Sequence, residues 1–141
     1  MAVLVAVNDT EGADRVITVA KDLADTHDEE LVALHVITEE SYERRAENAD
    51  DYFRDDATHD AKQVADRLVG DALERADDVT VAGRVGTPAS VILEAAQSRD
   101  VSYVVIGSRK RSPVGKALLG STTQSILLHA DMPVVAVPDE S

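Results

Sequence analysis

Cysteine is absent from the 141 residues, so a disulfide framework and every thiolate metal site are excluded. Tryptophan is also missing and aromatics make up only 3% of the chain, which removes the stacking platforms that binders of single-stranded nucleic acid depend on. Lysine is confined to Lys21, Lys62, Lys110 and Lys116, and the 14 basic residues face 27 Asp and Glu, for a formal net charge of −13. A field of that sign repels nucleic acid and anionic lipid surfaces, so neither is expected as a partner. No apolar run has membrane length and no leader-like segment is apparent, which makes the cytoplasm the expected location. The acids are mostly Asp and the cations mostly Arg. We read this balance as an adaptation to concentrated salt, where surface carboxylates hold water and cations and their mutual repulsion is screened.

What is present is enough for one domain spanning residues 1–141, with 44% hydrophobic residues to build its core. Short apolar runs at residues 2–7, 31–37, 79–85, 101–106 and 134–137 have the pattern of strands buried on both faces. Between them, Val16, Ile17, Ala20, Leu23 and Ala24 recur at helical spacing, as do the apolar residues from Ala57 to Ala76 despite Gly70. Gly86-Thr87-Pro88 marks a helix start with Thr87 as N-cap and Pro88 in the first turn, and residues 121–130 form a last helix. Residues 38–57 are rich in charge and read as a long mobile connection holding at most a helical turn. Strands alternating with helices in this way bury themselves as a parallel sheet with right-handed crossovers, a doubly wound α/β fold. Ligands of such sheets sit beyond the carboxyl ends of the strands, where strand order reverses.

The acids are not spread evenly. Residues 101–130 contain no Asp or Glu but hold Arg109, Lys110, Arg111 and Lys116, together with Gly107, Gly115 and Gly120. Taken singly, these residues have ordinary roles: Ser121 as an N-cap, the glycines in turns, the cations in a solvated loop. Taken together they describe an anion site. Glycines let the backbone approach phosphate oxygens, the start of a helix offers unpaired N–H groups, and Ser121, Thr122 and Thr123 add hydroxyls.

Better-known motifs are absent. Gly107 and Gly115-Lys116 are too far apart for a Walker loop, and Ala117 stands where Ser or Thr is needed. No GxGxxG follows the first strand. His27, His35, His59 and His129 have no metal-ligand spacing, so no metal site is expected, and His35 on its strand reads as a packed residue. Ser108 lacks the GxSxG context of a nucleophile, and no catalytic residue is assigned.

The stretch Gly107-Ser108-Arg109-Lys110, followed after nine residues by Gly120-Ser121, resembles the G-x2-G-x9-G-S/T signature of the universal stress protein family. The opening Val5-Ala6-Val7-Asn8-Asp9-Thr10-Glu11, Leu34-His35-Val36, Gly86-Thr87-Pro88, residues 104–108 and residues 133–137 extend the likeness over the chain, to a haloarchaeal-type member. The resemblance implies a Rossmann-like fold of the adenine nucleotide alpha hydrolase-like kind, a five-stranded parallel sheet in the order 3-2-1-4-5. It implies an ATP- or AMP-binding regulatory module of the stress response, with Mg accompanying the nucleotide. By position, Ala6, Val7 and Asn8 would lie near adenine and ribose, and the Val36 backbone would contact adenine. Gly107, Ser108, Arg109, Lys110, Arg111, Ser112 and Pro113 would wrap the phosphates, with Gly120, Ser121, Thr122 and Thr123 completing the cradle. A homodimer through Val134, Val135, Ala136 and Val137 is implied as well, along with a protein partner of unknown identity.

Two positions depart from the family pattern. Asn8 replaces the usual Asp, keeping hydrogen-bonding capacity without charge. Lys110 replaces the second motif glycine, where a side chain either obstructs the phosphate or pairs with it. Obstruction would leave an alternative function, a dimeric interaction protein that binds no nucleotide. Without a general base beside the loop, weak ATP hydrolysis is the most that is expected of it as an enzyme.

Overall fold

The computed structural model describes residues 1–108 and 120–138. Five strands form one parallel sheet: β1 (Ala2–Ala6), β2 (Glu30–Ile37), β3 (Val79–Val85), β4 (Tyr103–Ser108) and β5 (Val134–Pro138). Their order is β3-β2-β1-β4-β5, as the family resemblance implied. Helices α1 (Ala13–Thr26), α2 (Glu39–Glu47), α3 (Arg54–Ala72), α4 (Pro88–Ser98) and α5 (Ser121–His129) occupy the crossovers.

Side chains of a strand alternate between the two faces of the sheet, and each face has its own core. Val3, Val5, Val7, Leu31, Ala33 and Val105 pack with Ile17 and Ala20 of α1 and with Ala65, Leu68 and Val69 of α3. Leu4, Ala6, Val32, Leu34, Val104 and Ile106 pack with Ile92 and Ala96 of α4 and with Ile126 of α5. All five residues of β1 are buried, the physical reason that its sequence is an unbroken apolar run. The helix α3 lies unusually close to the sheet: Ala57, Ala61 and Ala65 are fully buried, and a Cβ at Gly83 would collide with the backbone of Thr58, Ala61 and Lys62.

Residues 38–57 are more ordered than their charge suggested, because local interactions replace the missing apolar stripe. The Thr38 hydroxyl caps α2 by accepting from the Ser41 N–H at 3.1 Å, Glu39 and Glu40 sit in its first turn, and Arg44 and Arg45 sit in its last. Arg54 then clamps the Glu39 carboxylate through two bonds of 2.9 and 2.6 Å, and Tyr52 donates to Asp60 at 2.8 Å. The helix α3 accordingly begins at Arg54, with the Asp56 carboxylate accepting from the Phe53 N–H, rather than at Ala57. It stops at Ala72, not Ala76, because Leu73 turns extended and both Leu73 and Ala76 fold against the α1–α3 core.

Gly86 adopts a φ of 154°, its N–H bonded to the Ile37 carbonyl, and Thr87 and Pro88 start α4 as expected, although the Thr87 hydroxyl makes no capping bond. Asp28 and Asp100 are left-handed, at φ 53° and 51°. Each follows a helix C-cap and completes a Schellman pair: Glu29 N–H to Ala24 O with Asp28 N–H to Asp25 O, and Val101 N–H to Ala96 O with Asp100 N–H to Gln97 O.

Candidate functional site

The order of the strands puts β1 beside β4, and the helices next described after them, α1 and α5, pack on opposite faces of the sheet. A cleft opens at that switch point, where such sheets hold ligands. It has two connected compartments sharing Ala6, Val7, Asn8, Gly107, Thr122 and Thr123.

The larger compartment, about 300 Å³, is bounded by Thr10, Ala13 and Val16 on the α1 side and by Ser108, Gly120 and Ser121 across from them. Gly120 is the N-cap of α5 in extended conformation, with no side-chain cap on the helix, and the first intrahelical bond runs from Gln124 N–H to Gly120 O at 3.0 Å. The amides of Ser121, Thr122 and Thr123 therefore precede the helical ladder and lie at its electropositive end. Thr123 is buried, and its hydroxyl donates to the Gly107 carbonyl at 3.2 Å, which pins the start of α5 to the end of β4.

The smaller compartment, about 180 Å³, adds an apolar wall to the shared Asn8, Thr122 and Thr123: Leu34 and Val36 of β2, Pro88 and Ile92 of α4, Ile106 of β4 and Ile126 of α5. Val36 also turns a peptide edge toward it. Val7 donates to the Leu34 carbonyl at 2.9 Å, which orients the backbone groups of Leu34, and of Val36 two residues on, toward β1. The ladder between β1 and β2 ends at the pair Ala6 and Leu34, so the Val36 peptide faces the cleft rather than a strand.

No side chain described as lining either compartment is ionisable. In a chain of net charge −13, the described residues put no carboxylate into the cleft. The nearest acid in sequence, Asp9, is drawn away by an ion pair with Arg67 at 3.0 Å. The arrangement can bind and orient an anion carrying an apolar ring. Among the described residues, no cluster of His, Asp or Glu has the arrangement of a metal site.

Of the residues singled out in the sequence, Ala6, Val7, Asn8, Val36, Gly107, Ser108, Gly120, Ser121, Thr122 and Thr123 all meet at this cleft. Gly107 and Ser108 belong to the end of β4 rather than to the loop after it. Arg109, Lys110, Arg111, Ser112 and Pro113 lie outside the described residues. Missed were Thr10, Ala13 and Val16, the apolar wall of Leu34, Pro88, Ile92, Ile106 and Ile126, and the part played by His35, whose ring Nδ1 bonds the Val7 carbonyl at 2.8 Å. Helical periodicity marks Ile92 and Ile126 as core, but only the crossovers show that this part of the core ends in a cleft.

The model of the Universal stress protein family matches residues 1–138. The chain belongs to that family. A universal stress protein of Thermus aquaticus is 29% identical to it over 140 residues, covering 96% of each chain. In structure the fold is similar to that of MJ0577 from Methanocaldococcus jannaschii, with a TM-score of 0.76, 23% identity and coverage of 99% and 96% of the two chains. It is also similar to a universal stress protein in complex with cAMP (TM-score 0.66, 19% identity, coverage 97% and 96%) and to one from Archaeoglobus fulgidus in complex with dAMP (TM-score 0.60, 17% identity, 97% of both chains). The universal stress protein fold and this chain share the Rossmann-like parallel sheet, and among the described residues no helix is long and apolar enough to cross a membrane.

Proposed function

We propose that this universal stress protein is a regulatory module that binds an adenine nucleotide, ATP or AMP, in the cleft between β1 and β4. The observation that carries the reading is the division of the cleft: an apolar wall of Leu34, Val36, Ile92, Ile106 and Ile126 with a peptide edge at one end, and glycines, hydroxyls and helix amides at the other. Adenine fits the first, since its N1 acceptor and N6 donor match the N–H and C=O of Val36. Phosphate fits the second, at the start of α5 by Gly120, Ser121 and Thr122. Asn8 lines both compartments and is suited to a ribose hydroxyl. The complexes of structural relatives with cAMP and dAMP support this choice of ligand. Mg would arrive bound to a triphosphate, since the described lining offers hydroxyls and no carboxylate to hold the ion.

The same reading includes a homodimer. The strand β5 is an edge of the sheet, its Ala136 is exposed, and Leu127 and Leu128 on the neighbouring α5 are 43% and 79% exposed. A second copy pairing through Val134 to Val137 would satisfy that edge and cover the leucines. We place the protein in the cytoplasm of a salt-adapted cell, with nucleotide occupancy biasing contacts with a protein partner.

Calorimetric titration with AMP and Mg-ATP tests the reading, using Ser121→Ala and Asn8→Ala as controls. Saturable binding weakened by both variants is expected. No heat with either nucleotide would favour instead the dimeric interaction protein without a nucleotide.

A further inference from the structure

In a regular parallel ladder Val7, which stands opposite His35, would make two bonds to β2: its N–H to the Leu34 carbonyl, and its carbonyl to the Val36 N–H. The first is made, at 2.9 Å; the second is not. The Val7 carbonyl is taken instead by Nδ1 of His35, at 2.8 Å. A carbonyl oxygen can only accept, so Nδ1 carries the proton in this contact. His35 lies on the opposite face of β2 from Leu34 and Val36, whose side chains wall the smaller compartment, so its ring works from behind the cleft without entering it.

We infer that His35 is a positioning and specificity-determining residue: by occupying the Val7 carbonyl, it ends the β1–β2 ladder one rung early and leaves the Val36 N–H open to a purine base. The inference rests on the nucleotide reading given above. The physical logic is a competition for one acceptor. With His35 present, β1 is released from β2 at Val7, and a ring nitrogen acceptor such as adenine N1 completes the Val36 amide. Without it, the Val7 carbonyl and the Val36 N–H satisfy one another, because two unpaired backbone groups so placed would each carry a desolvation penalty. Hypoxanthine presents N1–H, a donor, at that edge, and so an open Val36 N–H favours AMP over IMP.

Amide hydrogen exchange of Val36 in His35→Phe, with AMP and IMP titrations alongside, tests this. In the wild-type protein the Val36 amide exchanges faster than that of Leu34 and becomes protected on adding AMP. In His35→Phe it is protected without ligand, AMP binds about tenfold more weakly, and the preference for AMP over IMP falls by about the same factor. His35→Asn, whose Nδ2–H stands the same two bonds from Cβ as the histidine Nδ1–H, restores fast exchange and AMP affinity. Equal Val36 exchange in ligand-free wild type and His35→Phe, both folded, would overturn the inference. Should the wild type bind neither nucleotide while the exchange difference persists, the nucleotide reading falls and the ladder competition stands.

Discussion

Gly83 of β3 faces the backbone of Lys62 in α3 with no room for a methyl group between them. Its Cβ would meet three backbone groups, those of Thr58, Ala61 and Lys62, none of which can rotate aside. The helix therefore sits against the sheet through a glycine on one side and the buried alanines Ala57, Ala61 and Ala65 on the other. Gly83→Ala is expected to destabilise the fold by about 3 kcal/mol or more, the upper range for overpacking. A urea midpoint unchanged by the substitution would show that α3 can lift off.

Gly107 provides the contrasting case. Among the described residues a Cβ there meets only Val16 Cγ2, at 3.4 Å, and Gly107 lines both compartments of the cleft. Gly107→Ala should keep its unfolding free energy within about 1 kcal/mol of wild type, while binding of AMP weakens at least tenfold. Loss of stability in proportion to loss of binding would mean the glycine serves the fold and not the ligand.

Asp28 and Asp100 hold left-handed conformations just past helix C-termini, so each combines a strained backbone with a negative charge at the negative end of a dipole. Replacing either with glycine should stabilise by roughly 0.5–1 kcal/mol. The electrostatic part of that gain should shrink in concentrated KCl. Denaturation of both variants at low and high salt measures it. In the parent protein, salt should raise the urea midpoint by screening the net charge of −13.

The ion pairs give a pH dependence with a definite sign. A hydrogen bond from Arg54 holds the Glu39 carboxyl below the usual range, and one from Lys21 does the same for Asp78. A depressed carboxylate contributes stability above its ordinary pKa and loses it as pH falls through the folded value. Lys21, raised by its bond to Asp25, contributes up to the ordinary lysine range and loses that contribution as pH climbs through its folded value. Thermal unfolding of Arg54→Ala and Lys21→Met should show smaller differences from wild type in acid than at neutral pH. These pairs are at the surface, so the effects are small.

The parts of the fold that were legible in the sequence are those that two-sided burial writes into it. Runs such as Val3-Leu4-Val5 have few alternatives to a central parallel strand, and the alternation with helices leaves one class of topology. The helix α2 was not legible because its determinants are a cap at Thr38 and the pairing of Glu39 with Arg54, neither of which leaves an apolar period. In the cleft, Gly107, Gly120 and Ser121 stood out through the acid-free stretch around them. Ile92 and Ile126 did not, since a core residue and a wall of a binding compartment look alike until the crossovers place them. His35 is half-buried, as its place on a strand suggests; its bond to Val7 depends on the strands being in register, which residue type alone does not reveal.

Whether the cleft between β1 and β4 holds an adenine nucleotide is decided by chromatography of the small molecules released when the protein, purified in concentrated KCl, is denatured. AMP or ATP in near-stoichiometric amount is expected, or an empty protein that takes up either on titration. A protein released empty that also gives no heat with AMP or Mg-ATP would contradict nucleotide binding in this cleft.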